Sequence, residues 1–205
     1  MTRVVDVEPG RLLEQARTGD RPALGRLLER YRAYLVVLAR VQIGRRLQGK
    51  VDAADVVQDA FLGAYRDFPQ FRGTTEPEFA GWLRQILASL LANLVRYYQG
   101  TKRRDVRLER RLAVELEHSS QTLDRGLMTR QSSPSQRAIR REQSVLLAEA
   151  LARLPEEDRE LLILRHLEGL TFPEVARRLG RTIDSVKKRW PRALASLRRF
   201  LEERP

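Results

Sequence analysis

Gln85, Ser89, Asn93 and Arg96 are separated by four, four and three residues, which places them on one side of a helix. Short polar groups ending in an arginine can read unpaired bases and hold a phosphate, and Tyr97 and Tyr98 beyond them offer stacking platforms. A second group lies near the other end of the chain, where Thr182, Asp184, Ser185, Lys187, Lys188, Arg189 and Arg192 gather on one basic stretch. Arginine can donate two hydrogen bonds to guanine in the major groove, and lysine can neutralise phosphates. Both groups would bind nucleic acid rather than transform a substrate. A plainer reading stands beside each: a solvated polar helix face for the first, a helical hairpin with a basic surface for the second.

The balance of charge points the same way. The 205 residues carry 39 Lys and Arg against 27 Asp and Glu, a net charge of +12. So basic a chain usually meets a polyanion, most often nucleic acid. There is no cysteine, which excludes disulfides and thiolate metal sites, and the two histidines, His118 and His166, lie far apart in sequence. Neither a metal nor a cofactor is expected. No glycine-rich phosphate loop or nucleophile triad is visible, so no enzyme is expected either. No apolar run approaches the roughly 20 residues that span a bilayer. The first ten residues lack the apolar core of a signal peptide. The expectation is a cytoplasmic protein without membrane insertion.

The elements that would position these groups are helices. The spacing predicts a short helix over residues 11–17, then a second capped by Asp20 with Pro22 in its first turn. The apolar stripe of that second helix is Leu24, Leu27, Leu28, Tyr31, Leu35 and Leu38, and Gly49 marks a break. Asp52 reads as the next N-cap, with Asp55 in the first turn and Val57, Phe61, Ala64 and Phe68 on a buried face. After a loop over residues 69–75, Thr75 and Glu78 form a capping box. The long helix behind it turns Phe79, Trp82, Leu83, Ile86, Leu87, Leu90 and Leu94 inward. Composition then becomes basic over residues 96–111 and rich in Ser, Thr and Gln over residues 119–135, which reads as a linker. The expected architecture is all-α: two small helical domains, residues 1–100 and 140–205, joined by a flexible linker over 101–139.

The second domain predicts helices over residues 142–153 and 156–167, then a capping box at Thr171 and Glu174, a short helix ending at Gly180, and a last helix capped by Thr182. Short helix, glycine turn and longer basic helix is the helix-turn-helix pattern. Val175, Ala176, Leu179, Ile183, Val186 and Trp190 would make its core, and Leu194, Leu197 and Leu201 would continue the inward face. Pro191 removes the hydrogen bond to the Lys187 carbonyl, so a kink or an early end is expected there.

With these residues in place, the chain resembles the extracytoplasmic-function (ECF) group of the sigma-70 family of RNA polymerase sigma factors. The stretch VDAADVVQDAFLGAYRDFPQFRG, residues 51–73, is similar to the segment with which the family grips the polymerase clamp. FAGWLRQIL, residues 79–87, resembles the helix before the −10 reading surface. Residues 154–194, LPEEDRELLILRHLEGLTFPEVARRLGRTIDSVKKRWPRAL, resemble the −35-binding domain.

The resemblance implies that Asp55, Val57, Gln58, Asp59 and Phe61 contact the clamp helices of core RNA polymerase, with the polymerase flap as a further contact. The loop over residues 70–75 would hold a base flipped from the melted −10 element. Gln85, Ser89, Asn93, Arg96, Tyr97 and Tyr98 become the −10 set, and the residues from Thr182 to Arg192 become the −35 set. Promoter DNA is then a partner, an anti-sigma factor is a family expectation, and a monomer is expected when free. Two departures stand out: Ser89 where the family often has Asn, and Pro191 within the recognition helix. A free DNA-binding regulator would need only the C-terminal region. A basic RNA-processing or ribosome-associated enzyme would need a catalytic constellation.

Overall fold

A computed structural model describes residues 8–47, 51–100, 105–125 and 136–203, and all regular structure among them is helical. The helices are α1 (Pro9–Arg17), α2 (Arg21–Arg30), α3 (Arg32–Arg46), α4 (Ala53–Asp67), α5 (Glu76–Tyr98), α6 (Val106–Asp124), α7 (Gln136–Arg153), α8 (Glu156–Leu162), α9 (Phe172–Leu179) and α10 (Ile183–Glu202).

Local chemistry sets most of the boundaries. Asp20 accepts from the Ala23 amide at 2.9 Å and Asp52 from the Ala54 amide at 2.8 Å, starting α2 and α4. Thr75 and Glu78 make the expected capping box at the head of α5. The apolar stripe assigned to one helix after Asp20 spans two, because the chain breaks at Tyr31, but all six of its residues are buried. Gly49 lies outside the described residues.

Helices α3, α4 and α5 pack around Leu35, Leu38, Val57, Phe79, Leu83 and Leu87. The Tyr31 hydroxyl donates to Glu76 at 2.7 Å, which ties the α2–α3 junction to the start of α5.

The stretch read as linker carries a helix. Asp105 caps α6, accepting from the amides of Arg107 and Leu108, and Leu108, Leu112, Leu116 and Leu123 form its buried stripe against α5. Ser119 and Ser120, taken as linker by composition, are buried. Small hydroxyl side chains let two helices approach, and Ser120 accepts the Tyr34 hydroxyl at 2.8 Å. Helix α7 starts at Gln136, earlier than its apolar pattern suggests, and lies against α3 and α6.

In the C-terminal part, α8 continues into a π-helical turn, Ile163–Leu167, closed by Gly169 at φ 73°. The wider turn buries Leu161, Leu162, Ile163 and Leu164 in succession. Helix α9 ends at Gly180 in the left-handed conformation, φ 63° and ψ 35°, as the helix-turn-helix reading requires. Helix α10 runs through Pro191 without ending. Pro191 is exposed, as is Lys187, whose carbonyl loses its helical amide donor to the proline.

Candidate functional site

On α4, helical periodicity splits the expected clamp-binding residues into two sets. Asp55, Gln58 and Asp59 are exposed. Val57 and Phe61 are not: they are 0% and 4% accessible and belong to the core. So little accessible surface leaves a partner almost nothing of either side chain to touch; both hold the outer residues in place. Two exposed apolar residues missed by the sequence reading lie beyond Asp59: Leu62 at 61% and Tyr65 at 43%. Their helical spacing from Asp55 and Asp59 was the available signal. Arg32 stacks over the inner ring of Phe61 at 4.8 Å and donates to Gln58 at 3.3 Å, so α3 fixes part of this face.

The loop after α4 is built on aromatic packing. Phe71 lies 5.0 Å from Trp82 and 5.7 Å from Phe79, ring centre to ring centre. A Cβ on Gly73 would come within 3.0 Å of Phe71 and 2.9 Å of Glu78, so only glycine allows this close turn.

Along α5 the expected polar row divides again. Gln85 and Asn93 are exposed. Ser89 is half-buried and its hydroxyl donates to Glu109 of α6, so in this arrangement α6 covers it. Arg96 folds back along its own helix, donating to the Asn93 side chain and to the Ala92 carbonyl. Tyr97 is 78% exposed and meets Tyr98 edge to face at 5.2 Å, a paired aromatic platform at the basic end of the helix.

Behind that row sits Arg84, which no sequence argument singled out. Only 7% of its side chain is accessible, and it donates to the Tyr34 hydroxyl at 2.9 Å and to Glu117 at 2.6 Å. Burial opposes its charge, but Tyr34 and Glu117 outweigh that and hold the guanidinium above its ordinary range. Burial also pushes the Tyr34 phenol up, so it stays neutral and donates onward to Ser120. The chain Glu117–Arg84–Tyr34–Ser120 thus joins α3, α5 and α6.

The helix-turn-helix presents its charges unevenly. Thr182 caps α10, accepting from the Ser185 amide at 3.2 Å, and Asp184 and Ser185 are exposed in the first turn. Lys187, Lys188 and Arg192 are exposed, with no ion pair among the described residues. Arg189 is occupied, lying 2.5 Å from Glu157 and 2.5 Å from Asp158 of α8. Arg181 in the turn also pairs with Glu157 at 2.5 Å. Two arginines therefore hold the turn and the recognition helix to α8, and Lys187, Lys188 and Arg192 are the cations of the expected set left for DNA.

Val175, Ala176 and Val186 are the buried centre of the motif, whereas Ile183 and Leu201, expected inward, are 41% and 40% exposed at the two ends of α10. Trp190 donates to His166 Nε2 at 3.2 Å, and burial, aided by Arg165, lowers the His166 pKa.

Comparison with known proteins places both regions. The sequence model of Sigma-70 region 2 matches residues 27–101, and that of Sigma-70 region 4 matches residues 144–197. The chain is 28% identical over 192 residues to the RNA polymerase sigma-H factor of Pseudomonas aeruginosa, covering 93% of this chain and 92% of that one. It is 29% identical over 182 residues to the ECF RNA polymerase sigma-E factor of Escherichia coli, covering 89% and 88%. Against the ECF RNA polymerase sigma factor SigD of Mycobacterium bovis it is 29% identical over 187 residues, covering 91% and 81%. Among solved structures, CnrH in complex with the cytosolic domain of CnrY is 26% identical, covers 96% of this chain and 99% of that one, and has a TM-score of 0.36. Two matched regions in the family's order, each on the helices described above, identify this chain as a member of the sigma-70 family of RNA polymerase sigma factors, in its ECF group.

Proposed function

We propose that this sigma factor acts by binding alone: it docks on the clamp helices of core RNA polymerase through α4, captures the unpaired −10 strand with α5, and reads the −35 duplex with α10. The observation that carries the polymerase part is the α4 face, where Asp55, Gln58, Asp59 and Leu62 stand outward together. A free DNA-binding regulator has no use for such a surface. The DNA part is supported by the exposed tyrosine pair of α5 and by Lys187, Lys188 and Arg192 of α10. Polymerase supplies the chemistry of RNA synthesis.

The same reading takes residues 1–100 as the −10 domain and 140–205 as the −35 domain, with contact to the polymerase flap. An inhibitor of the anti-sigma kind belongs to it on family grounds. The protein acts as a monomer in the cytoplasm, and no helix among the described residues is long and apolar enough to cross a membrane. The test is capture of core polymerase followed by transcription from genomic fragments. Stable capture with new, specific transcripts supports the reading; duplex DNA binding without capture returns it to the free regulator.

Three variants separate the DNA roles. Asn93→Ala with Arg96→Ala is expected to slow open-complex formation by about tenfold, the equivalent of one stacked or charge-assisted contact, while closed-complex binding changes little. Permanganate footprinting against filter binding checks this, and equal losses in both would remove the melting role. Lys188→Ala is expected to lower the salt slope of duplex binding by about one. Arg189→Ala acts differently, because it releases α10 from α8; it should lower the thermal stability of the C-terminal domain as well as its affinity.

A further inference from the structure

The turn of the helix-turn-helix carries a cation that the DNA-reading set leaves out. Arg181 stands between Gly180 and Thr182, the N-cap of α10. That is the end of a recognition helix that meets the groove in this motif. The Arg181 side chain is 55% exposed, and it pairs with Glu157 of α8 at 2.5 Å.

The two carboxylates at the head of α8 hold their arginines differently. Arg189 is held from two sides: its Nε lies 2.5 Å from Asp158 and its Nη1 lies 2.5 Å from Glu157, and Asp158 is only 16% accessible. Arg181 meets the other oxygen of Glu157, and this pair stands about half in solvent. One carboxylate thus divides its two oxygens between the two arginines. The hydrogen bond and charge of Arg181, followed by the charge of Arg189, hold Glu157 below the usual carboxylate range, so it stays ionised at neutral pH.

A carboxylate occupies Arg181 in the same way that a phosphate would. An unpaired arginine that neutralises a phosphate makes the duplex release a counterion. An arginine that leaves a carboxylate to do so uncovers that carboxylate, which recruits a cation in its turn. The net release shrinks, and the salt dependence of binding shrinks with it. Exposed pairs are individually weak, so the effect is a several-fold adjustment and not a block.

We infer that Glu157 is an intramolecular competitor of DNA phosphate: it withholds Arg181 and so sets the strength and the salt dependence of duplex binding by the C-terminal domain. This rests on the reading of α9 and α10 as the duplex-binding unit. Asp158 keeps Arg189 in place when Glu157 is changed, so the competitor can be removed without loosening the recognition helix.

The test uses the full chain and a short duplex of arbitrary sequence, because phosphate contacts carry no sequence information. Fluorescence anisotropy follows binding over a sodium chloride series. Glu157→Gln keeps the size of the side chain and removes its charge. It should tighten binding by up to about fivefold and steepen the salt slope by about one, the mark of one more phosphate contact. Glu157→Gln with Arg181→Gln should return the slope to that of the wild type. Glu156→Gln removes the same charge from the same turn of α8; Glu156 pairs with Arg40 and, among the described residues, with neither Arg181 nor Arg189, so its slope should not change. An unchanged or shallower slope for Glu157→Gln, an equal steepening with Glu156→Gln, or a steepening that survives the loss of Arg181 each overturns the competitor. Lys188→Ala, measured alongside, separates the two readings. If it lowers the slope while Glu157→Gln does not raise it, the competitor alone fails; if neither moves the slope, the duplex-binding role of α10 fails with it.

Discussion

Asp59→Lys combined with Asp55→Lys is expected to weaken binding to core polymerase by roughly 100-fold or more, the equivalent of about 2.7 kcal/mol, and to leave the helical fold intact. Both carboxylates are exposed, and among the described residues neither is in an ion pair. Their loss therefore removes no internal contact, and surface changes of this kind usually stay within about 0.5 kcal/mol of wild-type stability. The two positions are not equivalent. Asp55 sits in the first turn of α4, where a negative charge favours the helix dipole, so reversal there carries a further cost of up to about 1 kcal/mol. Asp59 lies a turn further in and has no such term. Asp59→Lys alone is thus the cleaner probe, and Asp55→Asn the control for the dipole. Calorimetric titration against core polymerase, with melting curves of the same variants, measures both quantities. Unchanged affinity with unchanged stability would remove α4 from the polymerase interface.

Arg84→Ala is expected to be the most damaging single change to the fold among the residues discussed, at roughly 3 kcal/mol. The side chain is buried and makes two charge-assisted hydrogen bonds, and its stem fills space between α3 and α5. Removing it strips the Tyr34 hydroxyl of a donor in a dry setting. Glu117 is 43% exposed and can turn to water, which keeps the loss below that of a fully buried pair. Arg84→Met keeps most of the volume and should cost about half as much, because only the polar part is lost. For a domain of this size, about 3 kcal/mol corresponds to a fall in Tm of roughly 6–12 °C. Thermal melts of the two variants test the ordering. Equal, small shifts would mean that the Glu117–Arg84–Tyr34–Ser120 chain does not hold α6 to the body.

The sequence by itself determined the features whose causes are local. Asp20, Asp52, Thr75 and Thr182 cap helices because a side-chain oxygen two or three residues before an amide can reach it whatever the rest of the chain does. Gly180 ends α9 because only a residue without Cβ adopts its backbone angles cheaply. Periodicities of three and four residues likewise carried the apolar stripes, the polar row of α5 and the outward cations of α10. The same periodicity separates Val57 and Phe61, on the inner stripe with Ala64, from Asp55, Gln58 and Asp59; likeness to the family carries no such distinction.

Tertiary structure alone decided matters that depend on which surfaces meet. A Ser-rich stretch reads as a linker until Leu108, Leu112 and Leu116 find α5, where small hydroxyl residues become the means of close approach. Arg189 reads as a DNA contact until α8 places Glu157 and Asp158 against it. Arg84 looks like any helix-surface arginine until α3 and α6 enclose it. Two domains that differ in composition share one core because α7 finds α3. Each of these outcomes rests on shape and charge matched between segments distant in the chain, and such complementarity leaves no mark in the spacing of either segment.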